Sequence, residues 1–493
     1  MKEKENMEKN SKILIVDINH GALDIAEEYL FNKDFKNRKL KKGKKENYVI
    51  LWDIYGKINK LNELYDLKGS SSFTDKDKEI YKKYNKLKDY MPQKLKLITS
   101  KIEDIDYSEF SDIIAPVHCP INVKFKTFHE SVSEILCTKY KDFISKIITI
   151  TGVKGKTSTS ELINHILNGK YNVYLHNSTQ GSITPTEVLN TLNRLEKEKK
   201  LYKYDYFIFE ISLGLVSSKY GIITNILEDY PIANNLRSAK VKLSTLEFAD
   251  NCYILKDLYN NYNKIIESLN IANIHIIDNN PPNLKIINKY PLEFQYTPKN
   301  NINLKTNDFK LNKKIFGLHN ISNCILSYEI CKNMMNSEDI IKRIESFELK
   351  NRMELEYYNI LRNTNPGLNI KSISNSVEDF IESFDNPIIC LGGDFGCTCE
   401  EINAEKLLNQ LLKINKLNKL SNKTLPIYLS GDLGYEIHQI WQKKLNNSEK
   451  ISNLKIRVEI IENVKITKKE DLIKLKILSE KNNYLIIYRS SIV

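Results

Sequence analysis

The stretch Ile147-Ile148-Thr149-Ile150-Thr151-Gly152-Val153-Lys154-Gly155-Lys156-Thr157-Ser158-Thr159 constrains this chain more than any other. A β-branched apolar run ends in a glycine loop, a Lys-Thr pair follows, and a helical pattern runs from Ser160 to Leu167. That order is strand, phosphate loop, helix. Glycines let a backbone turn its N–H groups toward an anion, and the helix N-terminus adds partial positive charge. Gly152, Val153, Lys154, Gly155, Lys156, Thr157 and Ser158 are therefore expected to cradle a nucleoside triphosphate, with Lys156 on the terminal phosphates and the Thr157 hydroxyl on magnesium. The spacing, Gly-x-x-Gly-Lys-Thr, is two residues shorter than the general phosphate-loop pattern, and Ile150 stands where that pattern begins with glycine. The plain alternative is a βα turn that binds nothing.

The length, 493 residues, allows two to four domains with large cores. A hydrophobic content of 41% and a charged content of 28% are ordinary for a globular protein. No apolar run is long enough to span a bilayer, and the charged stretch from Met1 to Asn10 leads into a strand pattern rather than a signal sequence. A cytoplasmic protein is expected. The net charge of +12 has lysines scattered along the chain with no basic arm, which argues against nucleic acid and fits attraction of a polycarboxylate ligand. Eight cysteines are dispersed, and Cys397-Thr398-Cys399 has no second Cys/His pair nearby, so free thiols are expected rather than disulfides or structural zinc.

Lys12–Ile18, Tyr48–Asp53, Lys94–Ile98 and Asp112–His118 read as buried strands and Ala22–Leu30 as a helix, giving a parallel, Rossmann-like sheet. Ligands of such sheets sit at the carboxyl ends of strands, where Asp17, His20 and His118 fall. Asn172–Asn177, Tyr204–Ser212, Gly221–Ile226 and Cys252–Leu255 read as further strands around the phosphate loop, with a helix over Thr186–Lys197. Glu293–Tyr296 and Phe309–Phe316 read as antiparallel strands, and His319–Met334 and Glu338–Phe347 as helices. After Arg352 come strand patterns at Glu354–Leu361, Pro387–Leu391, Pro426–Ser430, Lys455–Ile461 and Tyr484–Tyr488, with helices over Glu401–Ile414 and Lys469–Lys481.

The short loop, with Thr151 before it and Ser158-Thr159 after, resembles the Mur ligase family of ATP-dependent ligases, and four more stretches fit in order. Phe209-Glu210-Ile211-Ser212 is similar to the strand end whose Glu holds magnesium. Thr224-Asn225-Ile226-Leu227-Glu228-Asp229 resembles the Asn-x-x-x-Asp strand end, although Tyr230-Pro231 replaces the usual histidine. Arg237-Ser238-Ala239-Lys240 resembles the helix whose lysine many members carbamylate, which implies Lys240, with Lys242 as second choice. Gly317-Leu318-His319-Asn320-Ile321-Ser322-Asn323 resembles the His-Asn-x-x-Asn helix start, implying Asn320 and Asn323 on adenine. Asn351-Arg352-Met353-Glu354 resembles the entry to the third domain, with Arg352 on ATP phosphates and Asn in place of Gly.

The resemblance implies an α/β chain of three domains: a Rossmann-like N-terminal domain (1–143), a central P-loop ATP-binding domain (144–349) and a C-terminal α/β ligase domain (350–493). It also implies ATP and magnesium as cofactors, with Lys156, Glu210 and Lys240 catalytic and Thr157 and Glu210 on the metal. The family's Asp-Asp-Tyr-Ala-His string is missing; Asn363-Thr364-Asn365-Pro366-Gly367-Leu368-Asn369 stands there. With Asp17–Gly21, Trp52–Tyr55, Ala115–Pro120 and Asp229–Ala233, this resembles the coenzyme F(430) synthetases of methanogenic archaea. That subgroup implies a nickel tetrapyrrole substrate whose propionate is activated as an acyl phosphate and closed onto a ring carbon. Asp17, His20, His118 and Tyr230 are its candidate substrate contacts. The rivals are an amide-forming Mur ligase, working on a cell-wall or folate-like precursor, and a non-catalytic carrier of tetrapyrrole or nickel.

Overall fold

A computed structural model describes residues 11–31, 47–69, 73–233, 236–298, 306–349, 352–356, 359–365, 367–396, 401–417, 425–447, 456–460, 469–474, 478–479 and 481–490. They form two compact units, Met1–Ile277 and Asp278–Val493.

The first unit opens with β1 (Ser11–Val16), α1 (Ala22–Phe31), β2 (Asn47–Trp52), α2 (Lys57–Lys68), α3 (Asp75–Tyr90), β3 (Leu95–Ile98), β4 (Asp112–Ala115), β5 (Lys126–Thr127) and α4 (Phe128–Lys139). The strands make a parallel sheet in the order β3-β2-β1-β4-β5. Ile13, Leu14, Ile15 and Val16 are all fully buried, as a central parallel strand covered on both faces requires. Because β1 has β2 on one side and β4 on the other, the strand order reverses between β1 and β4.

A second parallel sheet follows in the same unit: β6 (Ile147–Thr151), α5 (Lys156–Leu167), β7 (Val173–His176), α6 (Thr186–Lys197), β8 (Tyr206–Glu210), β9 (Ser218–Ile223), α7 (Ser238–Ser244), β10 (Ala249–Leu255), α8 (Lys256–Ile266) and β11 (Ile274–Ile277). Its order is β11-β10-β9-β6-β8-β7, which puts the strand leading to the phosphate loop in the interior. Ala22 and Tyr29 of α1, Val132 and Leu136 of α4, Val188 and Leu192 of α6, and Phe207 and Phe209 of β8 belong to one core. Each such aliphatic or aromatic side chain contributes roughly 1.5–3 kcal/mol by leaving water. A polar pin crosses the same helices: Lys139 Nζ and Asn193 Nδ2 both donate to Glu28 Oε1, at 2.9 and 3.0 Å, and Tyr140 OH donates to Asn193 Oδ1 at 2.6 Å. Glu28 is buried yet satisfied, so helix positions are fixed without an orphaned charge.

The second unit has an antiparallel sheet of β12 (Leu284–Lys289), β13 (Leu292–Tyr296) and β14 (Asn307–Lys310), followed by α9 (His319–Cys331) and α10 (Ser337–Glu345). Tyr296 OH donates to Glu329 Oε1 at 3.0 Å and so ties α9 to that sheet. The rest is β15 (Arg352–Glu356), β16 (Ile360–Thr364), α11 (Ile370–Ser383), β17 (Pro387–Gly393), α12 (Ala404–Leu417), β18 (Leu425–Ser430), α13 (Gly431–Asn447), β19 (Ile456–Ile460), α14 (Lys469–Lys474) and β20 (Asn483–Arg489). Its sheet runs β15-β16-β20-β17-β18-β19, with only β15 antiparallel to its neighbour. Ile389, Leu391, Leu407, Leu429, Trp441 and Leu485 centre its core.

Several expected elements change. Glu354–Leu361 is not one strand but the two arms of a hairpin, β15 and β16, turned near Asn359 without a glycine or proline to announce it. The β4 strand stops at Ala115 because Pro116 opens a turn, closed by Cys119 N donating to Pro116 O. In the Phe309–Phe316 run the strand β14 ends at Lys310. The helix after the phosphate loop begins at Lys156, four residues earlier than its apolar pattern. Among the described residues no helix is long and apolar enough to cross a membrane. Cys397 and Cys399 lie outside the described residues.

Candidate active site

The loop between β6 and α5 is shaped from below. Gly152 has φ +146° and Gly155 φ +83°, the latter in the left-handed conformation that starts α5. A Cβ on Gly152 would lie 2.1 Å from Thr224 Oγ1, so this glycine is required by close approach as well as by backbone angle. Residues just past β9 supply the support: Val153 N donates to Asn225 O at 2.9 Å, Lys154 N to Asn225 Oδ1 at 3.1 Å, and Asn225 Nδ2 to Lys154 O at 2.9 Å. Thr224 Oγ1 adds a bond to Lys154 O at 2.5 Å. The first turn of a helix offers N–H groups that the helix itself does not use, which suits an anion at the start of α5.

Glu210 ends β8, beside β6, and its buried carboxylate gathers the polar groups of the loop. Thr157 Oγ1 donates to Glu210 Oε2 at 2.8 Å, and Ser178 N donates to the same oxygen at 3.1 Å. Ser178 Oγ lies 2.9 Å from Thr157 Oγ1. Lys156 Nζ is 4.0 Å from Glu210 Oε1 and 3.4 Å from Val153 O, folded back over the loop. A buried carboxylate, two hydroxyls and an ammonium thus converge beside a helix N-terminus. Hard oxygen donors of this kind would suit magnesium, and Thr157 and Glu210 are the residues placed to hold it.

The loop 178–186 runs from this cluster to α6. There Thr186 Oγ1 donates to His20 O at 3.5 Å, and a Cβ on Gly21 would lie 2.1 Å from Thr186 Oγ1. Asp17, His20 and His118 meet at the ends of β1 and β4. Asp17 Oδ2 is 2.5 Å from His20 Nδ1 and 3.6 Å from His118 Nε2, and Asp17 Oδ1 accepts from Asn19 N at 3.0 Å. Burial by itself would raise the Asp17 carboxyl; hydrogen bonding and charge from His118 and His20 outweigh it and bring the group down to about 2.

Asp229 is occupied as a helix cap: its Oδ1 accepts from Ala239 N at 2.8 Å and Ser238 Oγ at 3.0 Å, its Oδ2 from Arg237 Nε at 3.0 Å. Lys240 sits on the exposed face of α7, whereas Lys242 is buried with its Nζ 3.4 Å from Tyr230 OH. His129, also buried, places Nε2 2.9 Å from Ser212 O; burial lowers its pKa to about 4, against the Ser212 bond and with help from the Lys242 charge. In the second unit Asn320 Nδ2 donates to Phe316 O at 2.9 Å, and Asn323 Nδ2 to Asn320 Oδ1 at 3.3 Å. Arg352 opens β15; its side chain and Asn351 lie outside the described residues.

Sequence reasoning placed Ser178 in a loop able to reach a ligand, but missed its bonds to Thr157 and Glu210 and the supporting role of Thr224 and Asn225. Thr224 and Asn225 follow β9, which pairs with β6, and Ser178 follows β7, one strand beyond β8; only the strand order reveals that proximity.

A model of the Mur ligase middle domain matches residues 150–331, and one of the coenzyme F430 synthetase CfbE C-terminal domain matches residues 352–491. Coenzyme F(430) synthetase of Methanocaldococcus jannaschii is 41% identical over 407 residues, covering 82% of this chain and 88% of that relative. The chain belongs to the coenzyme F(430) synthetase family. A second coenzyme F(430) synthetase, from Methanosarcina acetivorans, is 36% identical over 156 residues, 26% of this chain and 32% of its own. The MurF ligase of Thermotoga maritima, solved in complex with ADP, shares the fold with a TM-score of 0.51 at 12% identity, covering 78% of this chain and 86% of that one. Mur ligases are ATP-dependent, and this member of the coenzyme F(430) synthetase family is an ATP-dependent ligase.

Proposed function

We propose that this chain activates a propionate carboxylate of a nickel tetrapyrrole as an acyl phosphate and closes the last carbocyclic ring of coenzyme F(430), releasing ADP and phosphate. The observation that carries the reading is the Lys156–Thr157–Glu210 cluster beside the glycine loop, in a chain 41% identical to a coenzyme F(430) synthetase. Lys156 swings from Glu210 onto the terminal phosphates and offsets charge on the phosphoryl group in transfer. Thr157 and Glu210 hold magnesium, which supplies further charge neutralisation when bound. The substrate oxygen attacks the γ-phosphorus, the bond to ADP breaks, and a ring carbon then displaces phosphate from the acyl carbon.

The fuller assignment keeps three domains, 1–143, 144–349 and 350–493, with Asn320 and Asn323 toward adenine and Arg352 toward phosphate. For a second metal site, burial beside Tyr230 favours Lys242 over Lys240 as the lysine to carry a carbamate. Asp17, His20, His118 and Tyr230 are assigned to the tetrapyrrole, and the cytoplasm is the expected location.

The test is an assay of the purified chain with ATP, magnesium and the open-ring nickel tetrapyrrole acid, without any amine. ADP release coupled to a changed visible spectrum is expected. A strict requirement for an amine would replace the reading with an amide ligase, and tight binding without turnover would replace it with a carrier.

A further inference from the structure

Asp17, His20 and His118 stand at the carboxyl ends of β1 and β4, where the strand order of the first sheet reverses. Such a switch point is where an open parallel sheet leaves a crevice for a ligand. The turn there is built at a cost. Asp17 is not glycine, yet it holds φ +74°, pinned by its N–H to Trp52 O at 3.0 Å. That conformation lets one buried carboxylate take Asn19 N on Oδ1 and face His20 Nδ1 with Oδ2. With Nδ1 against the acid, the other nitrogen of the His20 ring faces away from it, and the side chain is 39% exposed. The His118 ring lies edge-on to His20 with centroids 4.4 Å apart, a wall that limits rotation of the imidazole.

Three donors of this kind invite a cation, but the spacing opposes it. Asp17 Oδ2 and His20 Nδ1 are 2.5 Å apart, a hydrogen-bond separation. Two ligands each about 2.0–2.1 Å from one zinc-like ion would be spread wider than that. The pair is arranged as an acid that orients a base.

We propose that His20, oriented by Asp17, is the base that removes the proton from the carbon that attacks the activated carboxylate. This rests on the ring-closing reading above, because an amine would bring its own lone pair whereas a C–H carbon must lose a proton. The proton passes to the outer nitrogen of His20. The carbon's electron pair forms the C–C bond to the acyl carbon, whose bond to the phosphate oxygen breaks, and phosphate leaves with that pair. Asp17 stabilises the imidazolium so formed. The crevice is tied to the phosphate loop through residues 178–186, with Ser178 on Glu210 at one end and Thr186 on His20 O at the other.

The test separates the two steps in the full-length enzyme with ATP and the open-ring nickel tetrapyrrole acid. Hydroxylamine traps the acyl phosphate, and the visible spectrum follows ring closure. In His20→Gln, the ratio of closure to trapping is expected to fall by about 100-fold or more, and in Asp17→Asn by about tenfold. Wild-type enzyme with a non-hydrolysable ATP analogue is also expected to exchange that carbon-bound proton with heavy water, a readout that needs no variant. An unchanged ratio in His20→Gln, no exchange in the wild type, or a stoichiometric transition metal lost on Asp17→Asn overturns the assignment. Absence of any trapped acyl phosphate in the wild type removes the ring-closing reading itself.

Discussion

Lys156 rests near Glu210, and in the proposed reaction it moves from there onto the terminal phosphates. Lys156→Ala should lower ATP turnover by about 100-fold or more while tetrapyrrole binding changes little, measured by ADP release and by spectral titration. Near-normal turnover would remove the residue from the mechanism. His129 gives a pH signature. Its folded pKa of about 4 lies below the ordinary 6.5, so the unfolded chain binds the proton first on acidification. The stability it contributes is complete above pH 6.5 and is lost as pH falls toward 4, by roughly 3 kcal/mol at 1.36 kcal/mol per unit. Urea unfolding of wild type and His129→Asn across that window should show a steeper acid decline in the wild type.

At the scale of elements, the turn after β1 and the start of α6 touch with no space between them. Gly21, at φ +105°, lets this happen, since any Cβ would collide with Thr186. Gly21→Ala should therefore cost about 2 kcal/mol of stability, from backbone strain and overpacking together. It should also weaken ring closure more than acyl-phosphate formation, because the displaced turn carries His20. Thermal unfolding together with the two-step assay checks both; an unchanged melting temperature would show that the contact is loose in solution. The phosphate loop is likewise an arrangement of elements: β6 delivers it, Thr224 and Asn225 after β9 support it, and Ser178 after β7 closes its side.

Over the whole molecule, the net charge of +12 would attract the proposed polycarboxylate substrate before any contact forms. Raising ionic strength from about 0.05 M to 0.3 M should lower kcat/KM for the tetrapyrrole several-fold, since the screening length shrinks to well below the chain's dimensions. An invariant kcat/KM would mean that the lysines serve solubility alone. The sequence by itself determined the strand–loop–helix at Ile147–Leu167, the helix over Thr186–Lys197 and most strands of the parallel sheets, because apolar runs, glycines and caps act locally. It left the hairpin at Asn359 hidden, since a single asparagine with no glycine or proline beside it marks a turn weakly, and its periodicity placed the start of α5 too late, since polar first-turn residues carry no apolar period. Tertiary structure decided which strand ends are neighbours. It set Ser178 and Glu210 on Thr157, put Asp17 between two histidines 98 positions apart in number, and buried Lys242 rather than Lys240. Those pairings are fixed by sheet order and burial, long-range quantities that no local pattern of residues encodes.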